Sequence, residues 1–460
     1  MAFIPSNDDE QEQMRAALGL AEGEELFDQI PPEVPRAEPQ LPEPVSELEL
    51  LQEVRELAAR NQSTQQLACF LGAGAYEHFI PAAVGALTAR GEFLTSYTPY
   101  QAEASQGNLQ ASYEFQTTVC ELTGMEVANA SMYDGASALA EAALMAARVT
   151  RKPRLLVGEL VHPHYRATID AYLSGLDIKY DLIPALAGVT DLAAMREMLG
   201  DDVAAVLLQS PNFLGFLEPM AEVRPLLGDA DSLFVACVNP VSLGVVAPPG
   251  EYGADIAVGE LQPLGMPLSF GGPYAGFFAC RQEMVHQMPG RLVGATQDAQ
   301  GRRGFVLTLQ AREQHIRRAH ATSNICSNQN LCALAATIHC ALLGTDGLRQ
   351  VGEANLANAH YLAERLSQID GCEVVGEAPF FNEFPLRLPA DAEAVARILL
   401  DEGLLAGLPL GRYFPERADQ LLVCATELRS QAEMDRFAEL LEKVLHEWSH
   451  DLRKEPLRVG

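Results

Sequence analysis

Lysine is scarce in this sequence of 460 residues. It occurs at four positions, 152, 179, 443 and 454, although 32 residues are lysine or arginine. None lies between Lys179 and Lys443, a stretch that covers more than half of the chain. The middle of the chain therefore cannot supply the amine that Schiff-base catalysis requires.

Paired cysteines and metal-ligand clusters are also missing. The nine cysteines are odd in number and widely spaced, and no two are separated by only two residues. This pattern argues against a disulfide framework or a zinc site and favours buried, reduced thiols. His162 and His164 could form a ligand pair, but no carboxylate cluster lies nearby in the sequence, so no metal site is predicted.

Targeting and membrane signals are absent as well. No apolar run reaches the roughly 18–20 residues of a membrane span. The sequence from Met1 to Glu10 has neither the basic nor the apolar region of a signal peptide. We expect a cytoplasmic protein with no membrane partner. The net charge of −30 would repel a phosphate backbone, so nucleic acid is not expected as a partner either.

The chain divides by pattern into an arm, two domains and a tail. Residues 1–61 hold prolines and then a helix that opens with a Ser46–Glu49 capping box. In residues 62–345 helical stretches alternate with short apolar runs, which is typical of a large three-layer α/β domain with a mostly parallel sheet. These runs are 155–157, 204–208, 233–237, 255–258 and 276–280. Residues 346–450 predict a small α+β domain, and 451–460 a tail.

Two segments in the first third of the chain could carry chemistry. Residues 97–107, Tyr97-Thr-Pro-Tyr-Gln-Ala-Glu-Ala-Ser-Gln-Gly107, combine phenols, amides and a carboxylate in a turn. They are either a ligand-binding loop or a hydrogen-bonded turn with aromatic packing. Residues 129–138 place small side chains at a helix start, which suits either an anion site or an ordinary cap by Asp134 or Ser137.

Two later segments are similarly ambiguous. Residues 259–276 form a glycine- and proline-rich loop between two predicted strands, which is either functional or a structural crossover. Residues 312–318, Arg312-Glu-Gln-His-Ile-Arg-Arg318, either bind an anion or form a solvated helix face. The sequence contains no P-loop, dinucleotide fingerprint or nucleophile elbow.

Taken together, these motifs resemble the glycine cleavage system P-protein family. The resemblance runs from residue 3 to about 450 and is strongest in a series of short segments. They are Phe3-Ile-Pro5, Phe70-Leu-Gly-Ala-Gly-Ala-Tyr-Glu-His-Phe-Ile-Pro81, Tyr97-Thr-Pro-Tyr-Gln101, Ser105-Gln-Gly107, Glu114-Phe-Gln116, Glu121-Leu-Thr-Gly124, Val127-Ala-Asn-Ala-Ser131, Tyr133-Asp-Gly135 and Ala321-Thr-Ser-Asn-Ile-Cys326. Length and motifs match the first half of that protein, which in split forms is a separate chain, subunit 1.

The resemblance implies a fold and a reaction. The fold is that of the pyridoxal-phosphate transferases of fold type I, with an arm, a large α/β domain and a small α+β domain. The reaction is the decarboxylation of glycine, with pyridoxal phosphate as the electron sink and transfer of the aminomethyl group to the lipoyl arm of H-protein. In split forms two copies of each subunit are expected.

The resemblance also locates the missing lysine. It implies that the lysine should follow the strand at 255–258, in the loop 260–264, which contains none. Pyridoxal phosphate is therefore expected to be held by the partner, subunit 2, and this chain is expected to be inactive alone.

The site residues carried over from the family lie in two groups. The resemblance implies that Tyr97, Tyr100, Gln101 and Glu103 line the active site from across the interface, and that Gly135, Ala136 and Ser137 form a vestigial phosphate loop. Two alternatives stay open. The chain could be a non-catalytic scaffold or docking subunit of the same complex, or an autonomous pyridoxal-phosphate decarboxylase or transaminase, against which the missing lysine argues.

Overall fold

The computed structural model describes residues 6–20, 30–31, 33–34, 40–228 and 231–451. The chain falls into two compact units, residues 1–62 and 63–460. The predicted tail lies almost wholly outside the described residues, as do Lys454 and the Phe3-Ile-Pro5 motif.

The first unit contributes helices α1 (Asp8–Leu18) and α2 (Glu47–Ala58). Each begins with a capping box: Asn7 exchanges hydrogen bonds with Glu10, and Ser46 does so with Glu49. Because a capping box satisfies two otherwise unpaired backbone donors, it fixes where a helix starts. The predicted start at Ser46 is confirmed.

The second unit holds the remaining elements. Its helices are α3 (Ala82–Thr88), α4 (Gly91–Leu94), α5 (Gln106–Thr123), α6 (Gly135–Thr150), α7 (Pro163–Leu173), α8 (Leu192–Met198), α9 (Met220–Leu227), α10 (Gln314–Arg317), α11 (Asn330–Ser367), α12 (Ala392–Asp401) and α13 (Gln431–Asp451). Its strands are β1 (Ala68–Cys69), β2 (Val127–Ala128), β3 (Arg154–Gly158), β4 (Lys179–Ile183), β5 (Ala185–Leu186), β6 (Val189–Thr190), β7 (Val203–Ser210), β8 (Leu233–Val238), β9 (Ile256–Glu260), β10 (Gly276–Cys280), β11 (Leu292–Gln297), β12 (Arg303–Thr308), β13 (Glu373–Val374), β14 (Glu383–Arg387), β15 (Leu404–Leu405), β16 (Leu408–Pro409) and β17 (Gln420–Cys424).

A seven-stranded sheet organises the larger core, in the order β2-β10-β9-β8-β7-β3-β4. Strands β4, β3, β7, β8 and β9 run parallel, and β10 is antiparallel to both of its neighbours. Along β7, Val206 and Leu208 face one apolar core while Ala205 and Leu207 face the other. Helices cover both faces, so central strands such as β8 are apolar on both sides. The predicted three-layer α/β architecture is confirmed.

A second, antiparallel sheet has the order β13-β14-β17-β16 and its own core, in which Phe384, Leu422 and Phe437 are fully buried. Strand β1 pairs with β15, so Ala68 joins this second core although it comes early in the chain. The domain boundary predicted at 345/346 falls inside α11, next to Gly344, whose backbone is not helical. The predicted domain limits stay a prediction.

Among the described residues, α11 is long and apolar enough, by length and composition alone, to cross a membrane. Core helices of soluble proteins meet the same criterion. Helix α11 packs against α3, α5 and α13 of the same unit.

Candidate functional site

The carboxyl ends of the parallel strands β3, β7, β8 and β9 lie side by side and form the carboxyl edge of the sheet. The amino end of α6 meets the strands at this edge. Glu260, at the end of β9, is paired in register with Gly276 of β10. A Cβ atom on Gly276 would lie 2.2 Å from the carbonyl oxygen of Asp134, so strand and helix start are in backbone contact. In open α/β sheets this edge is where ligands bind.

The predicted phosphate loop, Gly135, Ala136 and Ser137, forms the first turn of α6. Asp134 caps the helix, since its carboxylate accepts a 2.7 Å hydrogen bond from the amide of Ser137. The capping alternative for this segment is thus confirmed. The amide of Gly135 donates to the carboxyl group of Glu260 at 2.9 Å. The donor that an incoming phosphate would use is already bound within the chain.

Glu260 fills this position with a carboxyl group held from two sides. One oxygen accepts from Gly135, and the other accepts from the amide of Gln262 at 3.1 Å. Burial raises the pKa of Glu260 to about 8, although both amide donors favour the ionised form, and the nearby carboxylate of Asp134 adds to the rise. At this edge the carboxyl group of Glu260, neutral or with a single negative charge, therefore stands where a fold type I cofactor would place its phosphate.

Two aromatic side chains close the same edge. The rings of His162 and Tyr165 stack with centroids 4.9 Å apart. His162 Nε2 lies 2.9 Å from the carbonyl oxygen of Ala73, while Nδ1 accepts from the amide of His164. This arrangement requires the Nε2–H tautomer, and burial lowers the pKa of His162 to about 4. The Tyr165 hydroxyl would lie 2.5 Å from a Cβ atom on Gly135, so it packs directly on the loop.

The loop expected to hold a lysine is occupied by residues with structural contacts. Leu261 and Leu264 are buried in the core. The side-chain amide of Gln262, 1% exposed, donates to the carbonyl oxygens of Tyr76 and Met266 and accepts from the amide of Tyr76. Each polar atom of Gln262 is thus committed to holding neighbouring backbone in place.

The described lysines lie elsewhere. Lys152 precedes β3 and Lys179 begins β4, so both are at the amino ends of parallel strands, opposite to the edge at Glu260. Lys443 is in α13, where its amine lies 3.7 Å from the carboxylate of Glu402. None of these three amines is placed to reach a cofactor at the carboxyl edge.

Asp255 also lies at the amino end, because it directly precedes β9. Its carboxylate pairs with the guanidinium of Arg224 and accepts from the amide of Phe234 at 2.7 Å. Arg281 adds a second ion pair at 3.3 Å. This aspartate fastens the sheet to α9 and cannot face a ligand bound at the opposite edge.

Pyridoxal phosphate does not fit the residues at this edge. The helix-start amide of Gly135 is bonded to Glu260, a Tyr165 hydroxyl packs on Gly135, and the following loop offers no amine. Adding a dianionic phosphate next to the carboxylate of Asp134 would be unfavourable. The start of α6 is instead bonded within the chain, to Glu260.

Residues 97–105 form the tyrosine loop, which lies outside the helices and carries the four predicted lining residues. Tyr97 is 74% exposed and Tyr100 is 58% exposed; Gln101 and Glu103 are exposed too. The Tyr100 hydroxyl accepts a 3.2 Å hydrogen bond from Arg291, whose guanidinium also lies 5.4 Å from the centre of the tyrosine ring. The role of these four residues in lining a partner's pocket stays a prediction.

The segment 321–329 connects the tyrosine loop to the start of α6. Ser323 donates to Glu141 of α6 at 2.6 Å, and Asn328 donates to the carbonyl oxygen of Ala130 at 2.8 Å. Arg312, from the basic segment before it, donates to the carbonyl oxygens of Met288 and Gly290. Arg312 therefore stabilises the turn before β11 and is not a free anion ligand.

Two residues that matter here, Glu260 and Arg291, were not singled out as site residues from the sequence, and His162 was considered there only as a metal ligand. Glu260 bonds to Gly135 across 125 positions and Arg291 to Tyr100 across 191, and no local pattern reveals such pairs. Among the described residues, no group of three or more His, Cys, Asp or Glu side chains is placed to hold a metal ion.

Known proteins resemble this chain along nearly its whole length. Residues 1–441 match the family model described as "Glycine cleavage system P-protein". The "Probable glycine dehydrogenase (decarboxylating) subunit 1" of Moorella thermoacetica is 50% identical over 446 residues, covering 97% of this chain and 100% of that protein. Its namesake in Desulfitobacterium hafniense is 50% identical over 437 residues, covering 95% and 98%.

Two solved structures also resemble this chain. A chain from the "Crystal structure of glycine decarboxylase (P-protein) of the glycine cleavage system, in inhibitor-bound form" has a TM-score of 0.90 and 46% identity, covering 97% of this chain and 100% of that one. A sphingosine-1-phosphate lyase from Burkholderia pseudomallei has a TM-score of 0.65 at 16% identity, covering 91% and 94%. At that identity the likeness shows the fold alone, which is the predicted fold type I.

Proposed function

The chain belongs to the glycine cleavage system P-protein family, and on that premise we propose that it is subunit 1 of a two-chain glycine decarboxylase. The observation that carries the proposal is end-to-end similarity, at 50% identity, to proteins named as that subunit. With a subunit 2, the complex removes CO2 from glycine and passes the aminomethyl group to lipoylated H-protein. A cytoplasmic location and a heterotetramer with two copies of each subunit belong to the same proposal.

Pyridoxal phosphate, in this proposal, is held by subunit 2. It supplies the electron sink for decarboxylation. Two features of this chain support the assignment: the loop 260–264 has no lysine, and Glu260 is bonded to the amide that would hold the phosphate. The tyrosine loop then completes the pocket of the partner subunit, with Tyr97 and Tyr100 as hydrogen-bond donors and Gln101 and Glu103 behind them.

The cofactor assignment can be tested on the purified chain. Incubation with pyridoxal phosphate and reduction with borohydride should leave no lysine labelled in stoichiometric amount. The same treatment of the assembled complex should label one lysine of the partner subunit. A stoichiometric label on a peptide of this chain would refute the assignment and favour an autonomous enzyme.

The role of the tyrosine loop needs the assembled complex. Phenylalanine at position 97 or 100 keeps the ring and removes the hydroxyl, so glycine-dependent CO2 exchange should fall while assembly is retained. The Tyr113→Phe variant is a matched control on helix α5, where the ring packs on Phe305. Full activity of both loop variants would favour the scaffold alternative, in which this chain only stabilises or docks its partners.

A further inference from the structure

Arg291 is the most deeply buried cation near the tyrosine loop. Its side chain is 4% exposed, immediately before β11. The guanidinium donates to Tyr100 Oη at 3.2 Å and to the carbonyl oxygen of Cys326 at 2.7 Å. Longer bonds of 3.4 and 3.3 Å reach Ser327 and Asn328. One side chain thus joins the tyrosine loop to the segment 321–329.

The ion pair that Arg291 forms with Glu313 is a long one. The carboxylate of Glu313 is 3.9 Å from Nε, which is an ion-pair distance but beyond hydrogen-bond distance, and Nε has no hydrogen-bond partner among the described residues. Burying a cation is costly unless it is paired and its donors are hydrogen-bonded. The face of the Tyr100 ring, 5.4 Å from the guanidinium carbon, offsets part of this cost through a cation–π contact. The arrangement leaves positive charge directly behind an exposed phenol.

The hydrogen-bond roles at Tyr100 follow from this geometry. Arginine has donors only, so the Tyr100 oxygen must accept. A phenol has one proton, and this acceptor role leaves that proton available for a second partner. Tyr100 is 58% exposed, which leaves its surface open to a group from outside the chain. With a cation behind it, the hydroxyl is suited to donate to an oxygen anion.

We propose that Arg291 is a positioning residue for glycine decarboxylation. It orients the Tyr100 hydroxyl and polarises it as a donor to an oxygen anion held in the pocket of the partner subunit. The anion is either the carboxylate of glycine or an oxygen of the cofactor. The inference rests on the proposed function, and Arg291 acts through Tyr100 without touching the ligand.

The test is a double-mutant cycle in the complex reconstituted with the partner subunit. R291M, Y100F and the double variant are compared in glycine-dependent CO2 exchange, with the apparent Kd for pyridoxal phosphate measured separately. R291M should weaken glycine KM or cofactor Kd by roughly ten- to one-hundred-fold, the change expected for a lost charge-assisted hydrogen bond. The double variant should be no worse than Y100F, because Arg291 acts through the tyrosine. A change in KM alone assigns the anion to glycine, and a change in Kd alone assigns it to the cofactor.

Two further variants separate the role of Arg291 from a general loss of structure: R291K and a control at a distant arginine. R291K retains the charge but not the forked donors, so it should recover part of the loss. If R291M does not assemble, the same cycle is run with R291K and Y100F. R397M removes an exposed arginine of α12 and should match wild type. Additive losses in the double variant, or R291 variants equal to wild type, would overturn the inference, whereas an inactive wild-type complex would instead overturn the proposed function.

Discussion

Replacing Glu260 with glutamine should change how the stability of the chain depends on pH. In the native state burial raises the pKa of Glu260 from 4.5 to about 8, whereas in the unfolded chain the carboxyl group returns to its ordinary range. Between those values the native state binds more protons than the unfolded state. Stability from this group is therefore complete below pH 4.5 and is lost as pH rises toward 8.

The magnitude follows from the size of the shift. One pKa unit corresponds to about 1.4 kcal/mol, so a rise from 4.5 to about 8 costs roughly 5 kcal/mol of unfolding free energy by pH 9. Glutamine keeps an acceptor oxygen for the amide of Gly135 but cannot ionise. We therefore expect E260Q to be less stable than wild type, or equal to it, at pH 5, and more stable by several kcal/mol at pH 9.

Urea denaturation of both proteins at pH 5, 7 and 9 measures this difference. Subtracting the two curves removes the contribution of every other titrating group that the variant leaves unchanged. E251Q, at an exposed glutamate, is the matched control and should track wild type at all three values. The difference in unfolding free energy between wild type and E260Q could instead be constant with pH, or could favour wild type at pH 9. Either result would show that the carboxyl group of Glu260 is not buried against the start of α6.

Three further changes test the packing around the site. Asp255→Ala removes a buried carboxylate that pairs with two arginines and should lower the unfolding free energy by about 3 kcal/mol, measured in urea; no loss would contradict its fastening role. Tyr76→Phe removes a 2.6 Å donor to Glu383, whose pKa burial raises to about 7. The loss should be about 1–3 kcal/mol and larger at pH 8 than at pH 5.5, because the donor favours the ionised form; a loss independent of pH would count against this reasoning. Gly215→Ala places a Cβ atom 2.0 Å from the backbone oxygen of Glu383 at a φ of +88° and should abolish soluble expression, whereas Gly228→Ala, with positive φ but open space, should not.

The sequence predicts the central strands well because they are buried on both faces. A strand such as β7 reads as an unbroken apolar run, and such runs between helices indicate a parallel sheet. Strand β4 escapes this reasoning: it lies at the edge of the sheet, and most of its residues, beginning with Lys179, are exposed or half-buried. The β11–β12 hairpin escapes it as well, because its outer residues are polar and exposed.

The site is less predictable than the fold, for a physical reason. A helix cap or a missing lysine can be recognised from a short segment, so the roles of Asp134 and of the loop 260–264 could be predicted from the sequence. The contacts that give the edge its chemistry join residues far apart along the chain, such as Glu260 with Gly135 and Arg291 with Tyr100. Their formation depends on the packing of the whole sheet, which no single segment encodes.

Glu260 and Arg291 support two different parts of the proposed function. Glu260 bears on which subunit holds the cofactor, and Arg291 bears on whether this chain contributes to the pocket of its partner. A missing lysine alone would leave a cofactor pocket that lacks only its covalent anchor. Glu260 adds a second difference, because its carboxyl group accepts the hydrogen bond of the Gly135 amide at the start of α6. A pure scaffold would account for both differences, but it gives no reason to bury Arg291, whose Nε lacks a hydrogen bond, behind a tyrosine that is more than half exposed. The cost of that buried charge is best explained if the Tyr100 hydroxyl serves a site that another chain completes.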